Sequence, residues 1–141
     1  LPLPDLTPGL IVSYAYLWAR RADAGDKDHP ACVIATFRRT GGSEDFVVYL
    51  PISHTPPSGD EVGIELSASA KRAAGLDEHR QWILVSECNV DAWPFDVSQV
   101  PHKPGRFAYG HLPPAVFASV RDKFSELYRT KRVRQVGRSV T

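Results

Sequence analysis

Methionine is missing from all 141 positions, the first included, so the chain reads as one without its initiator. Cysteine occurs only at Cys32 and Cys88, each inside an apolar, strand-like run and with no C-x-x-C pair. That excludes a disulfide framework and points to free, buried thiols in a cytoplasmic protein. Long hydrophobic runs are also lacking. Nothing approaches the ~18 consecutive apolar residues of a membrane span, so no membrane partner is expected. The longest apolar stretch, Gly9 to Trp18, is broken by Ser13 and has neither a basic leader nor a small-residue cleavage site, unlike a signal peptide. Internal repeats and low-complexity segments are absent too.

What is present is enough chain for one domain with a real core. The net charge of +1 conceals an asymmetry. Residues 129–141, "RTKRVRQVGRSVT", carry Arg129, Lys131, Arg132, Arg134 and Arg138 and no acid, which leaves residues 1–128 at −4. A basic tail on a mildly acidic body suits a phosphate backbone, although a solvated terminus has the same composition.

The strand signals are short and numerous. Leu10 to Trp18, Ala31 to Phe37, Val47 to Ser53, Val62 to Leu66 and Trp82 to Val90 are rich in β-branched and aromatic residues. A hairpin turn falls at Gly41-Gly42, and residues 19–30 and 91–106 read as loops from their charges, prolines and glycines. "FAYG" at 107–110 adds a brief strand. "SASAKRAAG" predicts a short helix with Ser67 or Ser69 as N-cap and Gly75 past its end. The clearest helix begins at Pro113-Pro114. Its apolar face is Val116, Phe117, Val120, Phe124, Leu127 and Tyr128. Together these predict a mostly β, α+β fold: a small barrel with a helix packed on it, or else an open antiparallel sheet with both helices on one face.

One stretch stands out chemically. In "VVYLPISHTPPSGD" (47–60) a buried strand must stop before Pro56 and Pro57, leaving Ser53, His54 and Thr55 where the strand meets solvent. Such a cluster can orient a substrate or simply begin a loop. In a regular strand Ser53 and His54 face opposite sides, so a shared site requires a twist or bulge there.

The order of landmarks resembles the MazF/PemK toxins of bacterial toxin–antitoxin pairs. The matching pieces are "PGLIVSYAYLW", "KDHPACVI", "VYLPISHTPP", "GLDEHRQWILVSECN" and "YGHLPPAVFASVRDKF", spanning residues 8 to about 128. The resemblance implies an SH3-like barrel over residues 1–128 with a terminal helix, followed by the basic tail 129–141. It also implies a homodimer, a cognate antitoxin, and cleavage of single-stranded RNA without metal or other cofactor. The family's Arg-Pro pair opening the second strand falls on His29-Pro30, and its strand-closing Thr falls on Ser53. Serine keeps the hydroxyl, whereas histidine replaces a permanent bidentate cation with a titratable ring. The Arg and Asp that some relatives use on a later strand have no counterpart at Leu84 and Ser86.

Metal-free RNA cleavage needs a base for the 2′-hydroxyl, positive or donor groups at the phosphorane and an acid for the leaving oxygen. Ser53 could orient the phosphate, and His29 and His54 could divide the acid–base work because both titrate near neutrality. Lys27, Thr55 and Arg80 are the expected substrate contacts, although Arg80 could instead pair with Asp77 or Glu78. Glu87 and Asn89 read as the solvated face of a strand. Trp18, Trp82 and Trp93 could stack bases but read better as core or dimer contacts. The scatter of His29, His54 and Cys88 lacks the close ligand pairs of a zinc motif, so no metal is expected. The alternative function is a barrel that binds an antitoxin, another protein or gyrase, as the similarly folded CcdB toxin does, without cleaving RNA.

Overall fold

The computed structural model describes residues 3–19 and 29–136. At its centre is an antiparallel meander of β1 (Leu10–Tyr14), β2 (His29–Phe37) and β3 (Phe46–Ser53). Both outer edges of this meander are divided between two partners. The edge of β1 is shared by β7 (Val97–Ser98), opposite residues 13–14, and β8 (Ala108–His111), opposite residues 10–12. The edge of β3 is shared by β5 (Trp82–Leu84), opposite residues 52–53, and β6 (Glu87–Ala92), opposite residues 46–49. Strand β4 (Gly63–Glu65) extends the sheet beyond β5. The result is a mostly antiparallel sheet with two helices, the α+β class read from the sequence.

Among the described residues the strand ladder does not run full circle. The helix α1 (Ala68–Ala73) is capped by Ser67, whose hydroxyl accepts the Ala70 N–H at 3.1 Å. Its exit is pressed against β8: Gly75, at φ +71°, has the Tyr109 carbonyl where a Cβ would stand, and a Cβ on Gly110 would lie 2.8 Å from the Ala74 backbone. Two glycines make that approach feasible.

The longer helix α2 (Pro114–Arg129) buries Val120 and Leu127. They join a cluster with Ile11, Cys32, Leu50, Ile83 and, at the end of α1, Ala74. Both helices therefore serve one cluster. Tyr128, expected on the apolar face of α2, is instead 67% exposed and stacks on Phe124 with ring centroids 6.0 Å apart. It adjoins the fully buried Leu127 in sequence, and a step of ~100° per residue carries it off the buried stripe. The opposite side of the sheet has its own cluster, with Val12, Tyr14, Tyr16, Trp18, Val33, Tyr49 and Trp82. Alternation along β1, with Ile11 on one side and Val12 and Tyr14 on the other, shows why the strands are apolar throughout.

Several strand boundaries differ from the sequence reading: β2 begins at His29 inside the expected 19–30 loop, and β7 lies inside the expected 91–106 loop because Val97 and Ser98 pair with the edge of β1. The run Trp82 to Val90 is two strands broken at Val85-Ser86, where Val85 N–H donates to Val62 C=O and Ser86 Oγ accepts the Val62 N–H. That corner lets one continuous apolar run serve two lengths of β3. Strand β1 stops at Tyr14, although Tyr16 and Trp18 stay buried. Beyond it the Ala15 N–H donates to Asp96 C=O and the Leu17 N–H to Asn89 Oδ1, so the chain leaves the ladder without leaving the core.

The basic tail begins in the body of the fold. Residues Arg134–Gln135 form β9, parallel to β6, with Arg134 N–H donating to Ser86 C=O and Val136 N–H to Cys88 C=O. This docking and the 15–19 segment cover β6, so Glu87 and Asn89 are buried rather than solvated. Glu87 accepts from Tyr16 Oη at 3.2 Å and from the Ala19 N–H at 3.1 Å. Among the described residues no helix is long and apolar enough to cross a membrane.

Candidate functional site

The ends of β2 and β3 place the candidate residues. Their register pairs Ala31 with Pro51, two residues short of His29 at the start of β2 and of Ser53 at the end of β3. His29 also pairs with Tyr14 on β1. A cavity of about 360 Å³ opens there, lined by Trp18, His29, Pro30 and Ile52, and by the run Ser53, His54 and Thr55. The His29 ring stands edge-on to Trp18, with centroids 5.4 Å apart and planes at 89°. Two residues 24 positions apart in the chain thus share one wall of solvent.

Ser53 is the last residue of β3 and is nearly buried. Its Oγ donates to Thr55 C=O and accepts the Thr55 N–H, both at 2.9 Å. The hydroxyl therefore caps its own loop in the free protein. It keeps one lone pair, and it must release Thr55 C=O before it can donate to a phosphate oxygen.

His54 follows the last residue of β3, and it and Ser53 are both among the residues that line the cavity. Its Nε2 lies 3.1 Å from Asp77 Oδ2 and 3.3 Å from Oδ1. Asp77 is itself fixed by the His79 N–H at 2.9 Å and Gln81 Nε2 at 3.0 Å, both on Oδ1. Gln81 is almost wholly buried, so this turn is anchored in the fold. The His79 ring meets the His54 ring edge-on at 5.7 Å.

Arg80, another expected contact, is not gathered here. Arg80 forms a bidentate pair with Glu65, at 2.8 and 2.9 Å, and lies over the Trp82 ring at 4.9 Å. Its hydrogen bond and charge hold the Glu65 carboxyl below the ordinary range. Neither residue lines the cavity. The Lys27 assignment lies outside the described residues. Among the described residues, then, the cavity lining contains no Arg or Lys. Trp18 and Trp82 are buried in the core, as their strand context suggested.

Asp77 escaped the sequence reading as a site residue. It appeared only as a surface partner for Arg80, since nothing local connects position 77 to position 54. A second cavity, of about 760 Å³, separates the loop at 58–62 from the tail at 131–134. Its charges are mixed, with Asp60, Glu61 and Glu87 among Lys131, Arg132 and Arg134. No family model, curated protein or solved structure matches this chain.

Proposed function

We propose that the chain is a metal-independent endoribonuclease of the MazF/PemK toxin type, cleaving single-stranded RNA at the cavity between the ends of β2 and β3. The observation that carries this reading is the convergence of His29, Ser53, His54 and Thr55 on one opening. All four are side chains that can donate or accept a hydrogen bond. The short antiparallel strands of the divided meander and the terminal helix packed on their cluster support an SH3-like barrel. A second copy of the chain, a cognate antitoxin and a cytoplasmic setting complete the reading.

In the proposed reaction a histidine takes the proton of the ribose 2′-hydroxyl, and the resulting oxygen attacks the adjacent phosphorus. The bond to the 5′-oxygen breaks as that oxygen receives a proton, leaving a 2′,3′-cyclic phosphate and a 5′-hydroxyl. His54 serves as the base and His29 as the acid. Ser53 donates to a non-bridging phosphate oxygen after giving up its bond to Thr55. Lys27, two positions before His29 in the chain, supplies the cation that the described lining lacks.

The competing reading, a barrel that binds without cutting, draws on two facts. The Ser53 hydroxyl is already committed to its loop, and Arg80 is neutralised by Glu65. Incubating purified protein with a single-stranded RNA in EDTA decides between them. Fragments ending in cyclic phosphate, lost on Ser53→Ala and on His29→Ala with the fold intact, support the nuclease. Intact RNA at high protein concentration supports the binding module.

A further inference from the structure

We infer that Asp77 is a positioning residue: it holds His54 in the tautomer whose Nδ1 lone pair is free to accept a proton. The inference rests on the nuclease reading for its purpose but not for its geometry. A neutral imidazole has one N–H and one lone pair, and the hydrogen bond made by one nitrogen sets the state of the other. His54 Nε2 faces both oxygens of a carboxylate, which only accept. Nε2 therefore carries the hydrogen. Nδ1 is the one ring nitrogen left for chemistry, on a residue that lines the cavity with Ser53 and His29.

The surroundings of Asp77 make the orientation one-way. Its Oδ1 receives two donors, the His79 N–H and Gln81 Nε2, while Oδ2 is the oxygen nearer to His54. In Asp77→Asn those two donors select the amide oxygen for the Oδ1 position. The amide nitrogen then occupies the Oδ2 position and presents N–H to Nε2. Nε2 must become the lone pair, and the proton moves to Nδ1. The isosteric change thus blocks the base. Asp77→Ala removes the same bonds but leaves the ring free to use either tautomer.

This predicts an order that a structural role would not produce. Asp77→Asn should lose about 100-fold in cleavage, within the span of general-base effects, and Asp77→Ala about tenfold. If Asp77 only held the 77–81 turn together, Ala would be the worse substitution, and that order would overturn the inference. An independent readout is the ¹⁵N spectrum of the His54 ring, recorded well above the ordinary imidazole titration range. The wild type should show protonated Nε2 and bare Nδ1, and Asp77→Asn should reverse them. A wild-type ring protonated at Nδ1, or a spectrum unchanged by Asp77→Asn, would sink the proposal. If the wild type cleaves no RNA, the nuclease reading fails, while the ring spectra still decide whether Asp77 fixes the tautomer.

Discussion

Asn89, fully buried on β6, grips Leu17 by both of its backbone groups: Oδ1 accepts the Leu17 N–H at 2.7 Å and Nδ2 donates to Leu17 C=O at 3.0 Å. Nδ2 also donates to Val136 C=O at 3.1 Å. One side chain therefore replaces the ladder for a segment that has left the sheet and fastens the C-terminal strand beside it. Replacing Asn89 with Leu would strand three backbone groups in the interior. Each unsatisfied group costs ~1–3 kcal/mol, so a loss of about 3 kcal/mol is expected in urea unfolding. A loss under ~1 kcal/mol would show that water replaces the amide.

The seam between α1 and β8 should tolerate no Cβ. Gly75→Ala adds a side chain at φ +71° facing the Tyr109 carbonyl, and Gly110→Ala meets the Ala74 backbone. Each should destabilise by about 1–3 kcal/mol, with the helix or strand forced to shift. The two positions share one seam, so the double variant should cost less than the sum of the single ones. Thermal melts of the four proteins check this.

Alkaline pH should weaken the fold. Burial pushes the Cys32 thiol from 9.0 up to about 12 and, with the Glu87 charge adding, the Cys88 thiol up to about 11. Burial raises the Tyr16 hydroxyl too, reinforced by Glu87. Above pH ~9 the unfolded chain releases protons that the folded chain retains, so folding stability falls as pH rises. The thiol contribution is intact below pH 9 and is lost as pH climbs through 11–12. Denaturation midpoints measured from pH 8 to 11 should decline, and Cys32→Ala should flatten the decline. The same thiols should resist labelling at neutral pH until denaturant is added.

The cavity predicts a gain as well as losses. His29→Arg would place a permanent, forked cation beside Ser53, the residue pair that the family resemblance leads one to expect. RNA binding should tighten, while cleavage should fall about 100-fold, because Arg keeps its proton and cannot act as the acid assigned to His29. Arg80→Ala, outside the cavity, should leave cleavage near the wild-type rate, whereas Ser53→Ala should suppress it. Equal losses from Arg80→Ala and Ser53→Ala would mean that the RNA path runs over β5 instead.

Much of this fold is written locally. The Pro-Pro start of α2, its stripe at Val120 and Leu127, the Ser67 cap and the strand that stops before Pro56 all follow from short-range sterics and periodicity. Those forces act over a few residues, so the sequence alone determined most of the elements, the α+β class and the cluster at 53–55. The same local rules misjudged Glu87 and Asn89, because alternation cannot tell a face open to water from one covered by residues 15–19 and 134–136. They also missed the corner at Val85-Ser86, where a lone serine with no Gly or Pro beside it interrupts the run.

Long-range pairing decided the rest. His29 and Ser53 line one cavity only because β2 and β3 pair and end side by side, and His54 meets Asp77 only because the 77–81 turn is anchored by Gln81. Arg80 went to Glu65 because β4 and β5 lie side by side. The sequence determined which side chains could do chemistry, since that is a property of each residue. Which of them stand together is a property of strand pairing across many intervening residues, and tertiary structure alone decided it.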